Sequence, residues 1–190
     1  MKNLKQLILI CAIGLLPAGV YAQYALQANS SKLSIDGTST LHDWTITAEG
    51  MNGSASLDMG SGLEGISNLE FAVIVDELNS GKGAMDKNTY EALKESKYPN
   101  ISYELTKVNS INDMGGNKYK LSTTGNLSIA GTKKAINMDV TATVSGSTVK
   151  FEGSYPMKMT DFNIEPPTAM FGTIKTGDEI TIKYTVNYSK

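Results

Sequence analysis

The sequence contains no arginine and only one histidine, one cysteine and one tryptophan among its 190 residues. All 17 basic residues are therefore lysines, so the guanidinium fork that grips phosphate and carboxylate groups bidentately is absent. A zinc site needs several histidine, cysteine or acidic ligands, and His42 is the single histidine that the chain can offer. These shortages argue against a metal centre, and nothing in the pattern requires a cofactor.

The charge balance argues against nucleic acid as a partner. The chain carries 17 basic and 19 acidic residues, a net charge of −2. Without Lys2 and Lys5, which belong to the N-terminal segment, 15 basic residues remain against 19 acidic ones, and the net charge is −4. An acidic chain lacks the positive surface that attracts a phosphate backbone.

The long apolar run at the N-terminus predicts export. Lys2 and Lys5 precede the apolar residues 7–16, and Val20 and Ala22 supply slim side chains at the minus-three and minus-one positions of a cleavage point before Gln23. The run is shorter than the roughly 20 residues that cross a bilayer. We predict a signal peptide over residues 1–22 and a domain over residues 23–190. Cys11 lies inside this run, and its attachment to a lipid is an alternative to its removal with the signal peptide. If Cys11 is removed, the mature protein has no cysteine and cannot form a disulfide.

Alternating apolar and polar residues predict antiparallel β-structure over most of the remaining chain. Two runs are clearest, and their apolar faces are Ile136, Met138, Val140, Ala142 and Val144, and Ile180, Ile182, Tyr184, Val186 and Tyr188. Residues 85–96 alone have helical spacing, and Tyr98-Pro99 stops the helix. About eight to ten strands with one short helix predict an all-β barrel or sandwich, and periodicity does not decide between these two.

Glycine-containing dipeptides predict the turns that separate these strands. The predicted turns are Asp36-Gly37, Asn52-Gly53, Gly60-Ser61-Gly62, Gly115-Gly116, Gly131-Thr132 and Ser145-Gly146-Ser147. Residues 162–171 form a predicted apolar loop that contains two prolines. Proline cannot donate to a central strand, so this segment is predicted either to cover the barrel mouth or to pack outside it.

Five segments in order resemble the YceI-like family, also described as lipid- or polyisoprenoid-binding proteins. They are STLHDW (39–44), NSGKGAMD (79–86), LKESKYPNISY (93–103), GNLSIAGTKK (125–134) and FGTIKTGDEI (171–180). The resemblance implies a lipocalin-like antiparallel barrel of about eight strands that holds a long-chain lipid or isoprenoid in its lumen. It also implies the periplasm as the location, with the extracellular medium the less favoured alternative.

Few residues offer catalytic chemistry, and we expect the protein not to be an enzyme. His42 and Asp43 are adjacent on a predicted strand, where their side chains point to opposite faces. Gly60-Ser61-Gly62 is not the nucleophile motif of serine hydrolases. Acidic pairs remain formally available in predicted loops and hairpin ends, at Asp161, Glu165, Asp178 and Glu179.

The ligand-binding prediction rests on the apolar strand faces, because a soluble barrel exposes its polar face to water. Methionine adapts to irregular apolar ligands. The predicted ligand-binding residues are Leu69, Phe71, Val73, Tyr103, Met138, Phe151, Met157 and Met159. Lys82 and Lys87, near the predicted helix, are candidates for contacting a charged head group.

The predicted function is that of a carrier for an isoprenoid or other long-chain amphiphile. The alternative is a barrel filled by its own side chains that acts through its surface as an envelope stress or assembly factor. An open apolar lumen favours the carrier, whereas a closed core favours the surface role. The sequence is compatible with either a monomer or a homodimer.

Overall fold

Residues 22–190, the range that the computed structural model describes, form mostly β-structure. The strands are β1 (Ala22–Leu26), β2 (Lys32–Ser39), β3 (Trp44–Ala48), β4 (Met51–Asp58), β5 (Gly65–Ile74), β6 (Leu78–Asn79), β7 (Asn100–Gly115), β8 (Lys118–Ile129), β9 (Thr132–Ser145), β10 (Thr148–Lys158), β11 (Thr168–Ala169) and β12 (Ile174–Ser189). The helix α1 spans Gly83–Leu93, and short 3-10 helices span Ala28–Ser30, Val75–Glu77 and Met159–Phe162. The predicted signal segment lies outside this range, except for Ala22.

The sheet closes into a barrel. Antiparallel pairing runs in the order β1-β4-β5-β7-β8-β9-β10-β12, and β12 returns to β1 through Ala25 opposite Ser189 and Leu26 opposite Tyr188. Beyond this contact, β12 pairs with β2, and β2 pairs with β3. The structure therefore confirms the predicted lipocalin-like barrel of eight strands with one helix and decides against a two-layer sandwich.

The alternation in the sequence corresponds to the inside and outside of the barrel. On β8 every second residue from Tyr119 to Ile129 is buried, and the residues between them are more exposed. Successive side chains of a strand point to opposite faces, so one face of each strand lines the interior. The apolar faces predicted for β9 and β12 are the inner faces in the structure.

The helix begins and ends a little earlier than predicted for residues 85–96. It starts at Gly83, after a turn in which Asp86 accepts hydrogen bonds from the Ser80 backbone and hydroxyl at 2.8 and 2.6 Å. It ends at Leu93, because Lys94 takes a left-handed conformation and Glu95 N–H donates to the Tyr90 carbonyl. This is a Schellman motif with lysine where glycine is usual.

Two predicted turns are wrong. Asp36-Gly37 lies within β2 and Asn52-Gly53 lies within β4. Both glycines make room for an aromatic ring rather than for a turn: the Trp44 indole lies over Gly37, and the Tyr188 phenol lies over Gly53. The other predicted turns connect strands.

We expect Gly53→Ala to destabilise the barrel by about 1–3 kcal/mol, the usual cost of overpacking. A methyl group at this position would meet the Glu70 carbonyl oxygen at 2.5 Å and the Tyr188 hydroxyl at 2.7 Å. Gly65→Ala is the matched control, because its methyl group would meet the Asp58 side chain at an ordinary 3.6 Å. Urea unfolding of both variants measures the difference, and equal midpoints would contradict the expected crowding.

Candidate functional site

The barrel interior contains an apolar cavity of about 470 Å³. Its walls come from β2, β3, β5, β7, β8, β9, β10 and β12, with α1 and the segment before β12 at one end. The buried side chains form three separate clusters, and members of all three line the cavity. The core is therefore arranged around a lumen.

The floor of the lumen is closed. Tyr188 reaches across the barrel, and its hydroxyl donates to the Glu70 carbonyl on β5 at 3.1 Å. Phe151 packs edge-on against the Tyr188 ring, with the ring centroids 5.8 Å apart. Below them lie fully buried Leu57, Ala55 and Val149. Burial raises the pKa of the Tyr188 phenol far above its usual value, so the floor carries no charge.

The structure places all eight predicted ligand-binding residues in the lining of the lumen. Leu69, Phe71 and Val73 lie on β5, Tyr103 on β7, Met138 on β9, Phe151 and Met157 on β10, and Met159 at the start of the 3-10 helix that follows β10. These strands belong to one continuous stretch of the barrel wall, from β5 to β10. Whether they contact a ligand stays a prediction.

The residues predicted from the sequence to contact a ligand are a minority of those that line the lumen. Some of the lining residues that were missed lie on strands whose apolar faces were recognised from the sequence, such as Leu127, Ile182 and Val186. Others come from α1, where Met85 and Leu93 face the cavity. The alternation of apolar and polar residues would have identified these strand residues, because every inward-facing strand position above the floor borders the lumen.

The mouth of the lumen lies opposite the floor, between the β2–β3 turn, the N-terminal part of α1 and the segment before β12. Trp44 stands at this end, and its indole N–H donates to the Thr38 carbonyl at 2.9 Å. Lys82 borders the mouth. Lys87, the second predicted head-group residue, is not in the lining. It is exposed on α1, with its Nζ 3.9 Å from the Glu91 carboxylate.

Tyr90 fastens α1 over the mouth. Its hydroxyl lies 2.8 Å from the Leu78 carbonyl in β6 and 2.9 Å from the Asp76 carbonyl in the preceding 3-10 helix, so it donates to the backbone of this segment. Desolvation raises the pKa of this phenol, and the nearby Asp86 carboxylate adds to the rise. The helix is thus attached to the sheet while Met85 and Leu93 remain directed to the lumen.

One side wall of the barrel is split. β9 and β10 pair only between residues 141–145 and 148–152, and beyond Glu152 their edges separate. Phe162 and Ile164 fill the gap and are buried with Ile136 and Met157. Phe162 and Ile164 are called the plug. Asp178 fixes the start of this segment, because it accepts hydrogen bonds from the Thr160 backbone at 2.9 Å and the Thr160 hydroxyl at 2.6 Å.

These contacts explain the proline-containing segment and the acidic residues near it. Hydrogen bonding from Thr160 lowers the pKa of Asp178 below its usual value. Asp161 accepts a hydrogen bond from the Lys158 backbone at 3.3 Å. Both carboxylates therefore organise the 3-10 helix. The first half of the segment does not pack outside the barrel, because Phe162 and Ile164 are buried in its wall. Pro167, Thr168 and Ala169 border the mouth.

Two phenols, Tyr103 and Tyr184, place polar groups in the lining of the lumen. The hydroxyls of Tyr103 and Tyr184 are buried and have no hydrogen-bond partner within residues 22–190. Burial raises the pKa of the Tyr103 phenol, and the neighbouring Thr123 side chain offsets part of this rise. The Thr123 hydroxyl donates its own hydrogen bond to the Met138 carbonyl at 3.1 Å. Burial also raises the pKa of Tyr184 far above its usual value. Both phenols are neutral at physiological pH.

Within residues 22–190, the side chains that could bind a metal ion are dispersed. His42 is exposed at the mouth, with its Nδ1 2.7 Å from the Asp43 backbone carbonyl. Across the described part of the chain, no three histidine, cysteine or acidic side chains come close enough to hold a metal ion. Over the same range, no helix is long and apolar enough to cross a membrane.

The closed antiparallel sheet and its deep apolar lumen define a lipocalin-like barrel. The chain belongs to the YceI-like family, whose domain matches residues 24–188. Among curated proteins, none matches the sequence significantly.

Solved structures share the fold at low sequence identity. BcnA of Burkholderia cenocepacia is 20% identical with a TM-score of 0.67, covering 85% of this chain and 98% of its own. A polyisoprenoid-binding domain from Saccharophagus degradans, implicated in plant cell wall breakdown, is 12% identical with a TM-score of 0.69, covering 87% and 97%. The YceI protein of Campylobacter jejuni is 21% identical with a TM-score of 0.58, covering 73% and 81%.

Proposed function

We propose that this protein binds an isoprenoid or another long-chain amphiphile in the barrel lumen and carries it through the periplasm. The observation that supports this most is the apolar cavity of about 470 Å³, closed at Tyr188 and bordered at the other end by surface residues. Ligand pockets typically have volumes of roughly 300–1,000 Å³. A barrel filled by its own side chains would not leave this space.

The lining explains both affinity and breadth of binding. Removing apolar surface from water stabilises a complex by about 25 cal/mol per Å². Most lumen side chains are aliphatic, aromatic or methionine, and neither Tyr103 nor Tyr184 adds a charge. Such a lining selects for an uncharged chain and discriminates weakly between chains of similar width. The polyisoprenoid-binding description of the Saccharophagus degradans domain is consistent with this ligand class.

The polar end of the ligand would remain at the mouth. Lys82 is a lining residue there, and lysine binds phosphate or carboxylate as a point charge. Lys87 is paired with Glu91 on the exposed side of α1, so the proposal assigns a head-group contact to Lys82 alone. Export through a signal peptide cleaved before Gln23 would place the carrier in the periplasm.

The proposed chemistry is binding without catalysis. The acidic groups Asp161 and Asp178 cap a 3-10 helix, and the His42 ring lies beside a backbone carbonyl at the protein surface. Neither arrangement directs a nucleophile or a general base into the lumen. The proposal therefore assigns no turnover to the lumen.

The test is native mass spectrometry of the protein purified from its own envelope, followed by organic extraction. We expect a stoichiometric long-chain species that dissociates under denaturing conditions. The same spectrum distinguishes a monomer from a homodimer. An apo mass that stays unchanged after incubation with isoprenoid alcohols and fatty acids would overturn the carrier proposal in favour of the surface-acting alternative.

A further inference from the structure

Exposed apolar side chains are concentrated at the mouth of the lumen. Within residues 22–190, four large apolar side chains are exposed: Leu41 (66%), Met114 (63%), Met170 (68%) and Phe171, which is fully exposed. Three of the four lie at the mouth end, whereas Met114 lies in β7 next to the turn to β8, at the opposite end of the barrel. Together, Leu41, Met170 and Phe171 form the rim of the lumen.

The backbone holds the rim outward. Met170 and Phe171 have φ angles of 50° and 54°, a left-handed conformation that is unfavourable for residues with large side chains, and Gly172 continues it at 84°. Backbone strain of this kind persists only where surrounding contacts fix it. Here Gly172 N–H donates to the Ala169 carbonyl at 3.1 Å, and Thr173 N–H donates to the Met170 carbonyl at 3.2 Å.

The two loops of the rim are joined to each other. Thr40 N–H donates to the Lys175 carbonyl at 3.0 Å, and Lys175 N–H donates to the Thr40 hydroxyl at 3.1 Å. Leu41 follows directly in the chain. The rim is therefore one organised surface built from the β2–β3 turn and the β11–β12 hairpin.

The rim is continuous with the lumen. Leu41 is itself a lining residue, and Ala169 and Ile174, on either side of the hairpin tip, line the mouth as well. An apolar chain leaving the lumen would meet these side chains before it met water. Exposed Lys82 and Lys175 lie at the same end, where ammonium groups can contact lipid phosphates.

We propose that the rim inserts into the surface of a lipid bilayer and places the mouth of the lumen at the hydrocarbon boundary. This inference rests on the proposed carrier function, because it supplies the route by which an apolar cargo enters and leaves. Side chains that are exposed in water would be buried among acyl chains on docking, which favours the bound state. Cargo could then pass between bilayer and lumen without crossing water.

Flotation with phosphatidylcholine vesicles tests the rim directly. We expect the wild-type protein to float with the vesicles and to remain bound at high salt, because insertion of apolar side chains is not screened. The double variant Met170→Ser/Phe171→Ser should bind about 100-fold more weakly, roughly tenfold for each side chain. Met114→Ser is the matched control and should float like the wild type.

Two further measurements separate this proposal from the carrier proposal. Equilibrium binding of a fluorescent fatty acid, added from solvent without vesicles, should be the same for wild type and rim variant. Transfer of that fatty acid between vesicle populations should be much slower for the rim variant. Failure of all proteins to bind the fatty acid would overturn the carrier proposal.

Other results would overturn the membrane-docking proposal alone. One is a wild-type protein that binds the fatty acid but does not float, and another is a rim variant that floats as well as the wild type. A wild-type dimer in sedimentation analysis that dissociates in the rim variant, without vesicle binding, would assign the rim to a second copy of the chain instead.

Discussion

Met138→Lys is expected to weaken cargo binding strongly while leaving the barrel folded. Met138 faces the lumen from the middle of β9, and it is only partly buried because it borders the cavity. An ammonium group there would remain hydrated inside the lumen, and an apolar chain would have to displace that water. Transferring a charge into apolar surroundings costs several kcal/mol even after relaxation, so we expect a loss of about 100-fold or more.

Asn137→Lys is the control for this substitution. Asn137 is the preceding residue on the same strand, and its exposed side chain points out of the barrel. Both variants add the same charge to β9, but only one adds it to the lumen. Titration with a fluorescent fatty acid measures the difference, with circular dichroism to check folding. Equal affinities for a folded Met138→Lys variant and for Asn137→Lys would place the binding site outside the lumen.

Phe162→Ala is expected to cause the largest loss of stability. The Phe162 side chain is 2% exposed and fills the split between β9 and β10. Truncating a buried phenylalanine typically costs about 3–5 kcal/mol, which corresponds to a fall in melting temperature on the order of 10 °C for a chain of this size. Lys134 Nζ lies 5.7 Å from the ring centroid, and this contact would also be lost.

Phe171→Ala serves as the comparison, because it removes the same side chain nearby in the sequence from a fully exposed position. Its melting temperature should stay within a degree or two of the wild type, about the scatter expected for surface substitutions. Thermal unfolding followed by circular dichroism measures both variants. A small effect of Phe162→Ala would mean that the wall does not depend on the plug.

The fold was predictable because each strand of a small barrel contacts water on one face only. The period of two identified the inner faces of β9 and β12 directly. The eight predicted ligand-binding residues, chosen as apolar residues of predicted strands, also line the cavity, although only Met138 lies on one of these two strands. The choice of barrel over sandwich came from the family resemblance. Periodicity could not supply it, because closure depends on the pairing of β12 with β1, two strands at opposite ends of the sequence.

Other features depend on contacts that the local sequence does not encode. Gly37 and Gly53 are typical turn residues by composition, but each lies in a strand because an aromatic ring from another strand occupies the space of its missing side chain. The local sequence does not distinguish Lys82 from Lys87. Both are exposed, but only Lys82, directly before α1, borders the mouth. The exposure of Met170 and Phe171 contradicts their hydrophobicity and was not predicted.

The solid floor beneath Phe151 and Tyr188 makes the lumen a blind tube. A ligand of the proposed carrier would enter end-first, and the end that leads on loading would trail on release. The tube therefore also measures length: in a homologous series, each added methylene should strengthen binding by about 0.8 kcal/mol until the chain reaches the floor. Longer chains would gain no further affinity from the barrel. Their remaining carbons would extend past the mouth, toward the bilayer on which the rim is proposed to dock.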